Sequence, residues 1–154
     1  MKDSSGAIDK LDVLLLLLST VFIFGVFANQ LPVMLANDDG AYYANMILSL
    51  RPGWMDGKPA YIWIGYIISK VASFLGVSRP SLVLVFGLYS ALFGSLTVVN
   101  LYFIGKSLFN QKYLGVAAGL LAAFSPIGFS MSLLIAPYSL TLFFVTLAVA
   151  AWIR

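Results

Sequence analysis

The sequence has no cysteine, no histidine and no glutamate, and only 10% of its 154 residues are charged. Without cysteine there is no disulfide, no thiolate metal site and no thiol redox chemistry. Without histidine there is neither an imidazole base nor an imidazole ligand. Acid–base chemistry falls to six aspartates, Asp3, Asp9, Asp12, Asp38, Asp39 and Asp56. In place of charge the chain carries apolar residues, 61% of the total against ~45–50% in an ordinary soluble domain. A 16.7 kDa globule has too much surface to hide that many. The composition speaks against a soluble enzyme and against a disordered chain. The net charge of +3 reads as membrane-flank bias, with no sign of a nucleic-acid partner.

The few charges are clumped, and they leave three charge-free stretches: 13–37 (25 residues), 80–105 (26) and 113–153 (41). A helix rises ~1.5 Å per residue, so about 20 apolar residues cross a hydrocarbon core of ~30 Å. The first two stretches fit one crossing each. The third, about 60 Å as a helix, fits two and needs a break. Pro126 and Pro137 supply it, since proline removes a backbone donor and disfavours helix just before it. The expectation is an all-α polytopic membrane bundle of about four transmembrane helices, 12–34, 81–104, 113–131 and 138–153, with Pro126 kinking the third. Residues 36–79 form a long loop carrying one or two juxtamembrane amphipathic helices, 39–50 and 59–77.

Segment 59–77 has two readings. It is apolar, with Gly65, Ser69, Ser73 and Gly76 in one helical stripe, but Lys70 sits inside it. It is either a fifth crossing or a helix in the interface whose lysine reaches headgroups. With four crossings and a cytoplasmic N-terminus, five basic residues (Lys2, Lys10, Lys106, Lys112, Arg154) face inward and four (Arg51, Lys58, Lys70, Arg79) outward. Five crossings reverse that bias, so charge favours four, in the plasma membrane. Val26-Phe27-Ala28 passes for a signal-peptide cleavage site, but the apolar run is long and continues to Leu35, which favours a retained helix.

The loop holds the chemistry. Tyr43, Met46, Ile47 and Leu50 fall on one helical face, with Asn45 and Ser49 opposite. Arg51-Pro52-Gly53 ends that helix, Trp54 suits the headgroup layer, and Pro59 opens the next helix. Asp38-Asp39 reads either as an N-cap or as a catalytic or metal-binding pair at the membrane surface. Two carboxylates suit Mg²⁺ or Mn²⁺, hard ions that take oxygen ligands and retain water. Lys58 reads as a snorkelling flank residue or a ligand for a lipid phosphate, and Asp56 as a turn residue. Gly115-x-x-x-Gly119 is a small-residue packing face.

Taken together, Asp38-Asp39-Gly40-Ala41-Tyr42, the amphipathic helix, and Asp56-Gly57-Lys58-Pro59-Ala60-Tyr61 resemble the first extracytoplasmic loop of GT-C class membrane glycosyltransferases. The branch most similar holds the protein O-mannosyltransferases and the lipid A aminoarabinose transferase. The stretch from Ile104 to Phe129 resembles that family's second span, basic turn and third span. The resemblance covers nearly the whole chain and corresponds to the family's N-terminal portion. It implies transfer of a sugar from a polyprenyl-phosphate donor to an extracytoplasmic acceptor. Asp38 and Asp39 would act as base or metal ligands and Lys58 would contact the donor phosphate; Arg51, Tyr42 and Asp56 complete the substrate-binding candidates. The chain departs from the family at Ala136-Pro137-Tyr138-Ser139, where the usual further acidic residue is missing. The competing reading is a non-catalytic membrane subunit, or a truncated relative, acting through a second subunit. A transporter is disfavoured because the four expected spans contain no ionisable pathway residues.

Overall fold

In the computed structural model, residues 10–34, 38–49, 59–133 and 137–153 are described, and among them all regular structure is helical. The helices are α1 (Lys10–Met34), α2 (Asp38–Ser49), α3 (Pro59–Phe74), α4 (Arg79–Phe109), α5 (Lys112–Phe124), α6 (Pro126–Leu133) and α7 (Tyr138–Ile153).

The boundaries have local causes. At the end of α3, Gly76 takes φ +82, the Gly76 N–H donates to the Ser73 carbonyl and the Val77 N–H to the Ala72 carbonyl, both at 3.0 Å. This is a Schellman closure, and glycine is the residue that reaches that φ without strain. It stops α3 at 16 residues, about 24 Å, short of a ~30 Å hydrocarbon core. Asn110, at φ 52, closes α4 in the same left-handed region. Between α5 and α6, Ser125 turns extended (ψ 141). Its hydroxyl accepts from the Gly128 N–H at 2.9 Å and donates to the Ala122 carbonyl at 3.1 Å. Pro126 then takes the first position of α6. What sequence suggested as a kinked helix over 113–131 is two helices on one track, broken at Ser125.

α4 is the spine. It has 31 residues, about 46 Å, and packs against α1, α3, α5, α6 and α7. A Cβ on Gly115 would sit 2.7 Å from the Tyr102 carbonyl oxygen, and one on Gly119 3.3 Å from Val98. Gly94 lies against Ser132. The α5–α6 track therefore runs antiparallel to α4. Phe93 meets Phe143 with ring centroids 5.1 Å apart, and Asn100 donates to Thr146 Oγ1 at 3.1 Å, so α7 runs parallel to α4. Phe27, late in α1, meets Phe129 of α6 at 5.6 Å, and α1 also packs along α4. The start of α5 and the ends of α4 and α7 thus share one end of the bundle, with Lys106 and Lys112. The opposite end carries α2, α3 and the start of α4.

Among the described residues one helical stretch, Ser81–Phe109, is long and apolar enough to cross a membrane, with 29 residues and a mean hydropathy of 2.2 over an 18-residue window. Shorter apolar stretches are Thr20–Asn29, Ala60–Phe74, Lys112–Phe124 and Tyr138–Ile153.

Candidate functional site

Two buried clusters divide the molecule. Ile23, Phe27, Ala91, Val98 and Ala123 fill the middle of the bundle. Tyr43, Ala44, Ile47, Tyr61, Ile62, Ala72, Leu82, Phe86, Tyr89 and Leu140 fill the loop end and join α2 and α3 to α4 and α7. The second is the platform that carries α2, and with it the backbone of Asp38 and Asp39 and the side chain of Tyr42.

In α2 the buried face is Tyr43, Ala44 and Ile47, with Met46 half-buried, and Asn45 and Ser49 are exposed. Leu50 lies outside the described residues. In α3 the buried face is Tyr61, Ile62, Gly65, Ser69 and Ala72. The stripe read from sequence divides accordingly: Gly65 and Ser69 face the core, whereas Ser73 and Gly76 are exposed.

The pairing of α2 with α3 sets the geometry. Tyr43 edges onto Tyr61 at 6.0 Å between centroids, and one turn on, Gly65 lies under Ile47, where an added Cβ would fall 2.7 Å from Cδ1. Both pairs are offset by the same number of residues, so α2 and α3 run parallel and in step. Their N-terminal ends therefore lie side by side. Asp38 and Asp39 are the first two residues of α2, and Pro59, bonded to Lys58, is the first of α3. Two helix N-termini aimed the same way add their positive ends, a setting that favours anions.

Tyr42, one turn into α2, is half-exposed and stacks edge-on to Tyr43 at 5.5 Å. Arg51, Asp56 and Lys58 lie outside the described residues. Among the described residues no three aspartate, glutamate, histidine or cysteine side chains gather as a metal site.

Sequence reasoning passed over the aromatic column beneath. From Tyr43 it continues through Tyr61 to Tyr89 (5.4 Å), Phe93 (5.1 Å) and Phe143 (5.1 Å), linking α2, α3, α4 and α7. Tyr61 Oη is paired with Ser90 Oγ at 3.4 Å. Burial pushes the Tyr61 phenol well above its ordinary value, the Ser90 hydrogen bond draws it back in part, and Tyr89 and Tyr43 add to the rise. Tyr61 is therefore neutral at physiological pH, a hydrogen-bonding group and no base. Two further hydroxyls, Tyr89 Oη and Ser139 Oγ, are buried without a hydrogen-bond partner. They lie one turn from Phe93 and Phe143 respectively, at one level of the α4–α7 seam. A buried polar group left unpaired costs about 1–3 kcal/mol, so the pair is a feature that stability alone does not explain. No local pattern signals it, because the two residues lie 50 positions apart in the chain.

Comparison of the chain with protein-family models, with curated proteins and with solved structures gives no match.

Proposed function

We propose that the chain is a four-pass membrane bundle (α1, α4, the α5–α6 track and α7) that works as a GT-C type glycosyltransferase or as its N-terminal part. Its basic end faces the cytosol and its α2–α3 platform the extracytoplasmic side, in keeping with the positive-inside rule. The observation that carries the reading is the parallel, in-step packing of α2 and α3. It brings the start of α2, where the string Asp38–Tyr42 lies, level with the start of α3, and this supports a reading in which the two motifs of the family resemblance act together.

The chemistry suits such a site. An acceptor hydroxyl or amine attacks the anomeric carbon, its proton goes to Asp38, and the C–O bond to the polyprenyl phosphate breaks. The leaving group gains negative charge, which the Lys58 ammonium and the paired helix N-termini stabilise. General-base assistance is worth ~10²–10⁴-fold. If a divalent ion takes part, Asp38 and Asp39 are its ligands and it would offset phosphate charge.

The test is transfer from a polyprenyl-phosphate sugar by membranes containing the chain. Asp38→Asn and Lys58→Ala should each lower the rate by at least ~10²-fold with insertion unchanged. Wild-type rates in both variants would end the catalytic reading. The second reading, a non-catalytic subunit, is favoured by one observation: an open apolar groove of about 600 Å³ on α5, lined by Ala117, Leu120, Leu121, Phe124 and Ser125, the kind of surface a partner helix fills. A stable complex without transfer would support it.

A further inference from the structure

The face of α3 turned away from the platform is unusual for a surface helix. Trp63, Ile67, Val71 and Phe74 follow one another at helical spacing and are 51%, 59%, 55% and 91% exposed. Leu75, just past the helix, is 72% exposed. These positions lie opposite the buried face of Tyr61, Ile62, Gly65, Ser69 and Ala72, so the stripe is the outer side of the helix and no part of the core. In its midst stands a single cation. Lys70 is exposed, its ammonium lies 5.2 Å from the centroid of the Tyr66 ring, and no carboxylate among the described residues pairs with it.

We propose that this face is a lipid-docking surface, in which Trp63, Ile67, Val71 and Phe74 sink among acyl chains and Lys70 takes the phosphate of an anionic headgroup. The inference rests on the membrane part of the function proposed above and is independent of sugar transfer. Three features select the bilayer as occupant. The stripe is apolar along the full length of the helix and offers a protein partner almost no hydrogen bonds. Its one charge has the sign that complements anionic lipid, and a lysine stem reaches from apolar surroundings to a phosphate layer. An indole and a phenol accompany it, rings that favour the boundary between hydrocarbon and headgroups. A charge in its middle, Lys70, sets α3 apart from α7, a helix of the same length, 16 residues, with no charge, so the apolar side of α3 is satisfied by lying in the boundary.

The experiment uses the full chain with Trp54→Phe and Trp152→Phe, which leaves Trp63 as the only indole, in phosphatidylcholine vesicles with and without phosphatidylglycerol. Bromolipids labelled near the headgroup should quench Trp63 several-fold more than acrylamide does, and phosphatidylglycerol should strengthen that quenching. Lys70→Gln should remove the phosphatidylglycerol dependence and leave the rest. A Trp63 open to acrylamide and untouched by bromolipid would overturn the docking surface. Quenching indifferent to phosphatidylglycerol, or unaltered by Lys70→Gln, would overturn the headgroup contact. A companion chain keeping only Trp152, 86% exposed on α7, reports insertion of the bundle. Lipid quenching there without quenching of Trp63 sinks this inference alone, whereas loss of both sinks the membrane reading beneath it.

Discussion

Where α5 crosses α4, backbone lies almost on backbone; where α2 and α3 cover the other end of α4, rings hold the helices apart. At the first contact Gly105 and Gly115 face each other, with a Cβ on Gly105 only 3.0 Å from the Gly115 Cα. At the second, Tyr43, Tyr61, Tyr89 and Phe86 fill the gap. The contrast follows from solvent. In a bilayer, lipid is as apolar as leucine, so helices gain by close approach through small residues. At the membrane surface water is near, and burying large rings is strongly favourable. On the membrane reading proposed above, the two seams belong to parts of the molecule that work in different media. They should also fail differently when substituted.

The largest expected effect is at the glycine seam. Gly115→Leu places a side chain against the Tyr102 carbonyl, part of a helix backbone that cannot swing aside. Overpacking commonly costs 1–3 kcal/mol, and a backbone collision belongs at or above the top, so we expect a loss of about 3 kcal/mol or more. Thermal aggregation of the detergent-solubilised chain measures it. Gly25→Ala is the control: no atom within 4 Å meets its Cβ, and alanine should stabilise the helix slightly, by about 0.5–1 kcal/mol. At the ring seam, Tyr61→Ala should cost about 3 kcal/mol through the cavity it leaves and loosen α2 and α3 while the bundle stays assembled. Limited proteolysis between α2 and α3 would separate local from global loosening. If Tyr61→Ala dissolved the whole bundle, the two-media comparison would fail.

Much of this contrast was not legible in the sequence. Charge-free runs and prolines, being local signals, placed helices close to where α1, α4 and α7 stand, and periodicity gave the buried face of α2. Gly115 and Gly119 were recognised as a small-residue face, but their partner Gly105 and the Tyr102 carbonyl were not, because partners across the bundle leave no mark on local spacing. The same limit hid Tyr61, Tyr89 and Ser139. In 59–77, periodicity put Ser73 and Gly76 in one stripe with Gly65 and Ser69, whereas Ser73 is exposed and Gly76 serves the backbone turn that ends α3. Of the candidate site, Asp38 and Asp39 stand at the start of α2 and Tyr42 one turn on, while Arg51, Asp56 and Lys58 fall outside the described residues.

A smaller effect tests the seam between α4 and α7. Asn100 donates to the Phe143 carbonyl and to Thr146 Oγ1, both at 3.1 Å, tying α4 to α7. Asn100→Leu should cost about 1 kcal/mol, in line with interhelical hydrogen bonds in lipid. The loss is limited because Thr146 keeps its own bonds to Leu142 and Phe143 carbonyls at 2.8 and 3.0 Å, so no hydroxyl is orphaned. Equilibrium unfolding in mixed micelles reads it directly.

The smallest effect at neutral pH is Tyr61→Phe, and it becomes informative only in alkali. Below pH ~10 the change removes one long hydrogen bond to Ser90 and should cost under ~1 kcal/mol. Above that pH the wild type should weaken relative to the variant. Burial raises the folded phenol above its unfolded value of 10.0, so the unfolded chain releases its proton first. The folded state then holds more protons than the unfolded one, and stability falls by about 1.4 kcal/mol per pH unit until the folded phenol itself ionises. Paired unfolding curves at about pH 9 and about pH 11 should therefore show the wild type losing ground that Tyr61→Phe keeps. Equal losses in the two proteins would mean that Tyr61 is solvated, and the platform would then be a wet surface in place of a packed one.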